Sequence, residues 1–480
     1  MGTISELEPK CVFEQFEKII SIPRTSGNEK QISDYLVEFA GKRGFIAYQD
    51  KLCNVTILKP ATPGMEEKDT IILQAHMDMV GAIEEGSNFD FNKDSIEAFV
   101  EDNFIKSKGT TLGADNGIGM AIILAILESD DLAHPMIEAV FTVGEEVGLD
   151  GANGYDYSKL KGRKLINLDT EEENHIVIGC AGGCRCNISD KCKKEKVEGI
   201  LYEIIVSNLT GGHSGCEIHK DRANANVLMG RILAKAIDSC ELSLVSMEGG
   251  TLDNAICTHC KAVVAVKKKN TKDFEKTIDN MRDDIKREYS VSDPDMKIKI
   301  KEKGKEKVEA VSDSDFKRII GLLLDVPNGV AKYSQEMPKM VVASSNVGIV
   351  RVKPKQFCIS LSLRGNRNSY LDNLKRRVSA LAFAFDSKLE IVGNYVPWEA
   401  CDNNELAEKI LDVYKKKFNR DIEIVNIHAG LECALFCNNI KNLEAVSIGP
   451  DIFGAHTTGE KVDIDSVKRE WELVKEILVL

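Results

Sequence analysis

The residues of this chain with the means to do chemistry fall in six short segments. They are His76-Met77-Asp78, Asp115, Glu145-Glu146, Asp169, His213 and His456, each placed at the end of an apolar stretch or in a glycine-flanked loop. His76 and His456 offer imidazole nitrogens. The acids offer three carboxylates as ligands and one to spare. That stoichiometry suits two adjacent divalent cations bridged by an acid, with the spare carboxylate as a base, which is the equipment of metal-assisted hydrolysis.

Each segment has a plain alternative. A buried histidine, a helix-capping Asp115 or an exposed Glu145-Glu146 loop would explain any one alone. Six together are hard to explain that way. If the strand before it continues to Asp78, His76 and Asp78 share a face. Asp78 can then hold a ligating imidazole in one tautomer. Asp115 lies between Gly113 and Gly117. As a bridge it would use both oxygens, on ions about 3.5–4 Å apart. Glu145 and Glu146 repel each other, so one site holding both without cations would be costly. Successive side chains point apart, so one acid would ligate and the other act as base. His213, in Gly211-Gly212-His213-Ser214-Gly215, and His456, between Gly454 and Gly459, are loop histidines, stronger candidates than histidines on an apolar helix face. A His/Asp/Glu donor set without cysteine suits zinc, manganese or cobalt and does not choose among them.

Elements that would position these groups follow from the periodicity. Residues 29–43 read as an amphipathic helix, Ile71–Ala75 as a buried strand ending at His76, and Gly117–Leu127 as a helix entered from Asp115-Asn116. Ile137–Val143 and Lys164–Leu168 are strands ending at the acid pair and at Asp169. Ligands at strand ends fit an open α/β sheet, whose crevice lies at the carboxyl edge. Beyond Gly182-Gly183 the pattern changes. Strand patterns at 201–207, 261–267, 295–301, 341–350 and 356–363 alternate with helical stretches at 223–239, 272–289, 313–324 and 369–386. The expected fold is α/β: a catalytic domain of residues 1–185 plus 391–480, with a mostly parallel mixed sheet flanked by helices. An α/β domain, 186–390, interrupts it.

The bulk properties narrow the class. A chain of 480 residues is too long for one core. A net charge of −13 disfavours nucleic acid or an anionic membrane as partner. The basic segment Lys297–Lys307 is expected to be a solvated strand face. No run of about 18 apolar residues offers a membrane span, and the N-terminal segment lacks the basic and apolar regions of a signal peptide. A cytoplasmic location is expected. The 14 cysteines have no disulfide-framework spacing, and the Cys180–Cys192 and Cys257–Cys260 clusters lack paired zinc-ribbon units. They are expected to be buried or free thiols.

The motifs Leu73-Gln74-Ala75-His76-Met77-Asp78-Met79-Val80, Gly109-Thr110-Thr111-Leu112-Gly113-Ala114-Asp115-Asn116-Gly117 and Thr142-Val143-Gly144-Glu145-Glu146 resemble those of the aminoacyl-histidine dipeptidases. So do Ile166–Asp169, Gly211–Gly215, His428-Ala429-Gly430-Leu431-Glu432-Cys433 and Ser447–Pro450. That family, also called Xaa-His dipeptidase, peptidase D or cytosolic non-specific dipeptidase, belongs to the two-zinc aminoacylase and carboxypeptidase group. The likeness covers essentially the whole chain.

The resemblance implies that His76 and Asp169 bind one zinc, Glu146 and His456 the other, and that Asp115 bridges them. Asp78 would orient His76, and Glu145 would be the general base that activates water for attack on a dipeptide. It also implies that the inserted domain is a lid that makes a homodimer. His213 would polarise the scissile carbonyl, and Asn254 and Arg364, or its neighbour Arg367, would hold the substrate and its α-carboxylate. Glu432 is a candidate for the substrate's free amine on grounds of charge. Competing expectations are a tripeptidase, a carboxypeptidase, an N-acyl amino acid deacylase, or a non-catalytic peptide-binding homologue.

Overall fold

The computed structural model of the chain describes residues 4–335, 339–400 and 404–480. The chain divides into two compact units. The first comprises the residues up to Gly179, Ala400–Asn426 and Leu431–Leu480; the second comprises Cys180–Glu399 and Ile427–Gly430.

In the first unit, four strands form a parallel centre: Ile137–Thr142, Ile71–His76, Lys164–Asn167 and Glu444–Ser447, adjacent in that order. Their apolar runs are buried almost throughout, as parallel strands covered on both faces require. Antiparallel strands extend the sheet, with Val55–Lys59 and Ile46–Gln49 on one side and His175–Cys180 on the other, followed by Glu423–Ile427. The sheet is mixed, as expected, with its parallel pairing at the middle. Helix Ala114–Glu128 is apolar nearly all round and buried to match. Its first turn departs from helical geometry at Asp115 and Asn116, where the peptide bond is cis. Gly119 lets it approach the sheet, because a Cβ there would collide with the Leu168 carbonyl. A small sheet joins strands Ala98–Glu101, Phe104–Ser107, Lys461–Asp463 and Ile452–Phe453. The last two form a hairpin with His456 in its loop.

The second unit has one antiparallel sheet, in the order Lys297–Val311, Lys194–Ser207, Cys260–Val266, Leu242–Gly249, Val341–Lys353, Gln356–Gly365, Gly182–Lys191 and Lys388–Tyr395. Helices Ala225–Ser239, Thr271–Glu288, Asp313–Asp325 and Asn368–Ala384 contribute to its core. The expected domain boundaries, 185/186 and 390/391, cut through two strands that pair with each other, Gly182–Lys191 and Lys388–Tyr395. The unit therefore begins and ends outside them, since a ladder joins what the composition shift had divided.

Lys297–Val311 is an edge strand of this sheet. Its lysines meet acids of the neighbouring strand, as Lys303 meets Glu203 and Lys305 meets Glu198. A charged edge of this kind resists pairing with another chain. No helix among the described residues is long and apolar enough to cross a membrane. Cys11, Cys53, Cys184, Cys186, Cys192, Cys240, Cys257, Cys260 and Cys358 are free thiols.

Candidate metal centre

The parallel centre delivers its strand ends to one edge. His76 ends its strand, Glu145 and Glu146 follow Ile137–Thr142, Asp169 follows Lys164–Asn167, and the chain beyond Glu444–Ser447 runs into the His456 hairpin. Asp115 enters from the start of its helix. His76 Nε2 lies 3.1 Å from Asp115 Oδ1 and 3.2 Å from Asp169 Oδ1. His456 Nε2 lies 3.1 Å from Asp115 Oδ2 and 2.8 Å from Glu146 Oε1. Donor atoms of His76, Asp115 and Glu146 all fall within 4.8 Å of one another. The five expected ligands are therefore together.

Asp78 lies behind His76, with its carboxylate 3.5 Å from His76 Nδ1 and its carbonyl 3.1 Å from the same atom. Ser26 Oγ and the amides of Glu145 and Glu146 donate to the Asp78 carboxylate. One acid thus lies against both the imidazole and the backbone of the glutamate pair.

Charge in the cluster is unbalanced. Burial alone would lower the His76 imidazole, but Asp169, Asp115 and Asp78 outweigh it and hold it well above its usual range. The carboxylates of Asp115, hydrogen-bonded to it, and of Glu146, close beside it, raise His456 to about 11. Burial, with the charges of Asp115 and Glu146, pushes Asp169 up to about 6 against the pull of His76. Burial and the charges of Asp169, Glu146 and Glu432 push Glu145 well above its ordinary value, although His76 opposes them. The buried Glu146 Oε1 has no well-directed hydrogen bond although His456 is close. An orphaned carboxylate oxygen, two imidazoles and an excess of acids fit divalent cations.

His456 adopts a positive φ of 65°, a conformation costly for a residue with a side chain. It holds the imidazole against Asp115 and Glu146 from a hairpin loop. Glu171 is pushed up to about 8 by burial and by the charges of Asp115, Asp169 and Glu146, with His456 opposing. It belongs to the same electrostatic cluster, and only its place two residues after Asp169 in the sequence hinted at this.

Glu432, expected to meet a substrate amine, is fully buried. Gln74 Nε2 and Thr142 Oγ1 each donate to its Oε2 at 2.6 Å, and burial raises it to about 7. It supports the strands that carry His76 and the glutamate pair, and has no solvent-facing atom for an amine. The sequence marked its charge but not its depth.

The remaining expected residues lie in the second unit. Arg364 is 7% exposed. Its register explains its surroundings: Ser344 lies opposite on one side and Gly183 on the other, with Tyr395 across Gly183. Directly opposed residues share a face. A Cβ on Gly183 would strike the Tyr395 hydroxyl, so glycine is what lets that hydroxyl reach Arg364. Arg364 Nη1 donates to Tyr395 Oη at 3.0 Å, and Nη2 lies 3.3 Å from His213 Nε2. Its Nε is buried without a hydrogen bond. Ser344 Oγ and Asn366 Oδ1 each lie 2.8 Å from His428, which burial, Arg364 and His213 together push down to about 3. Arg367 is exposed at the start of helix Asn368–Ala384. Asn254 and His213 line one cavity of about 650 Å³ with Arg351 and His259.

A peptidase-type metal centre on a mixed sheet, with an inserted antiparallel unit, defines the class. Residues 55–189 match peptidase family M28, and residues 204–293 match the peptidase dimerisation domain. The chain is 35% identical over 480 residues to the cytosol non-specific dipeptidase of Escherichia coli K12, covering 100% of this chain and 99% of that one. The crystal structure of an aminoacylhistidine dipeptidase from Vibrio alginolyticus superposes with a TM-score of 0.88 at 35% identity, covering 100% and 98%. An aminopeptidase PepT from Bacillus cereus shares the fold at a TM-score of 0.55 and 17% identity, with 98% of each chain covered. The chain belongs to the cytosol non-specific dipeptidase family, a family of peptide-bond hydrolases.

Proposed function

We propose that this chain hydrolyses dipeptides, Xaa-His among them, with two divalent cations per subunit. One observation carries the reading: the two oxygens of Asp115 each face a different imidazole, and each imidazole faces a further carboxylate. This supports His76 and Asp169 holding one cation, His456 and Glu146 the other, and Asp115 bridging. Zinc is the expected metal, with cobalt or manganese as alternatives. When bound, the cations would polarise a carbonyl and make a water molecule easier to deprotonate.

The chain's own groups account for the proton traffic. Glu145 takes the water proton and returns it to the leaving amine; burial and the neighbouring acids raise its proton affinity, which makes the ionised carboxylate a stronger base. Asp78 keeps His76 in one tautomer. In the second unit, His213 polarises the scissile carbonyl and Asn254 holds the substrate. Arg364 takes the α-carboxylate, for which its planar fork supplies two parallel donors. The buried guanidinium, bonded to a phenol and an imidazole rather than to an acid, supports Arg364 over Arg367. A homodimer made through residues 186–390 and a cytoplasmic location complete the proposal.

The test is turnover of a dipeptide panel including β-alanyl-histidine, each paired with its N-acetylated form, with metal counted by mass spectrometry. Free dipeptides should be cleaved and acetylated ones spared, with two metals per chain. Preference for the acetylated forms would make the protein a deacylase or carboxypeptidase. Metal-loaded protein without turnover would make it a binding homologue. Analytical ultracentrifugation decides the oligomer.

A further inference from the structure

Glu460 closes the hairpin loop that carries His456, and the chemistry above leaves it without a task. It is 3% exposed. Its carboxylate faces four consecutive backbone amides: Oε2 accepts from Leu112 at 2.8 Å and Gly113 at 2.9 Å, and Oε1 from Ala114 at 2.7 Å and Asp115 at 3.2 Å. All four partners are donors, which suits the acceptor-only inventory of an ionised carboxylate. An opposite charge grips the same loop. Arg24, 1% exposed, donates to the Gly113 carbonyl, and to the carbonyls of Met77 and Asp78 at 3.0 Å each. Gly113 has a φ of +71°, and a Cβ there would collide with the guanidinium. The glycine therefore serves both the turn and the arginine.

We infer that Glu460 and Arg24 form a charged clasp that positions the metal ligands. Glu460 fastens the amide of Asp115 itself to the loop of His456. Arg24 fastens the same segment to the backbone directly after His76. Three ligands from separate parts of the sequence are thereby held together by backbone contacts, so that Asp115 presents its two oxygens to two different partners. Neither residue touches a reacting atom; both are positioning residues. The inference rests on the ligand assignment proposed above. Groups that orient ligands from behind typically change metal affinity 10- to 100-fold.

The experiment measures zinc affinity of the full chain, stripped of metal, by competition with a chromogenic chelator, together with melting of the stripped protein. Glu460→Gln keeps the volume but turns an amino group toward backbone donors. The folded variant should bind zinc about 10- to 100-fold more weakly than wild type. A strut would lower the melting temperature of the stripped protein and leave the affinity of its folded fraction unchanged, which would overturn the inference. If Glu460→Gln does not fold, Arg24→Lys is measured the same way, since lysine keeps the charge and loses the fork. Zinc affinity within about threefold of wild type in that variant also overturns the inference, being far below the effect expected of such a group. Failure of both variants to fold would class the pair as struts and reject it as well. Asp115→Asn is the control: undiminished zinc binding there refutes the ligand assignment itself, and is read separately from the clasp.

Discussion

At the edge of the first unit's sheet, Asp115, Glu145, Glu146 and Asp169 crowd around two imidazoles, raising His456 to about 11 and Asp169 to about 6. In the second unit the buried charge is Arg364, and His428 beside it falls to about 3. Neighbouring carboxylates raise the proton affinity of His456, whereas burial, with Arg364 and His213, lowers that of His428. The first surplus is negative and suits cations. The second is positive and suits an anion such as a peptide carboxylate. The architectures differ to match. Parallel strands hand their ends to one edge and gather ligands from separate parts of the chain. The antiparallel sheet sets Ser344, Arg364, Gly183 and Tyr395 side by side by register alone.

The sharpest way to break this contrast is Glu145→Gln, which keeps shape and metal while removing the base. Its kcat should fall by about 10²- to 10⁴-fold with metal content unchanged. Near-native turnover of the loaded variant would remove Glu145 from the mechanism. Arg364→Met probes the other centre. For a dipeptide, kcat/KM should drop about 10- to 100-fold, the range for hydrogen bonds to charged groups. A dipeptide amide, which lacks the carboxylate, should lose far less, and equal losses would end the anion-site reading.

A smaller effect comes from His428. It stays neutral in the folded protein down to about 3, whereas in the unfolded chain it takes a proton near 6.5. Between those values the unfolded state binds more protons, so stability falls as pH drops through the window, by up to about 1.4 kcal/mol per pH unit. In urea titrations from pH 7 to 4, His428→Gln should flatten that part of the slope; unchanged slopes would remove His428 from the account. Least of all, Lys305→Ala breaks an exposed pair with Glu198 and should cost under about 1 kcal/mol without touching activity. A larger loss in thermal melting would mean that the edge strand is more than a solvated face.

Much of the first unit was legible. The strands ending at His76, before the glutamate pair and before Asp169 fall within a residue of their expected bounds, because continuous apolar runs bounded by turn residues mark buried strands. The helices of the second unit were legible too, through their apolar periodicity. Its first and last strands were not, since residues 182–191 and 388–395 become recognisable only by pairing with each other. The candidate residues stood out because glycine-flanked histidines and acids at strand ends are rare as accidents. Glu432 was singled out by its charge alone, and its burial was not legible. Arg24 carried no signal at all.

The sequence alone determined which residues could carry metal and proton chemistry, and which stretches would be buried strands and helices, because residue type and periodicity are local properties. Tertiary structure decided the partners. It brought the two oxygens of Asp115 against imidazoles from opposite ends of the chain, closed Glu460 on a loop 346 residues away, and used Gly183 to let Tyr395 reach Arg364. Hydrogen bonds and ion pairs act over a few ångströms of space whatever the separation along the chain, and only the folded backbone sets which groups come that near.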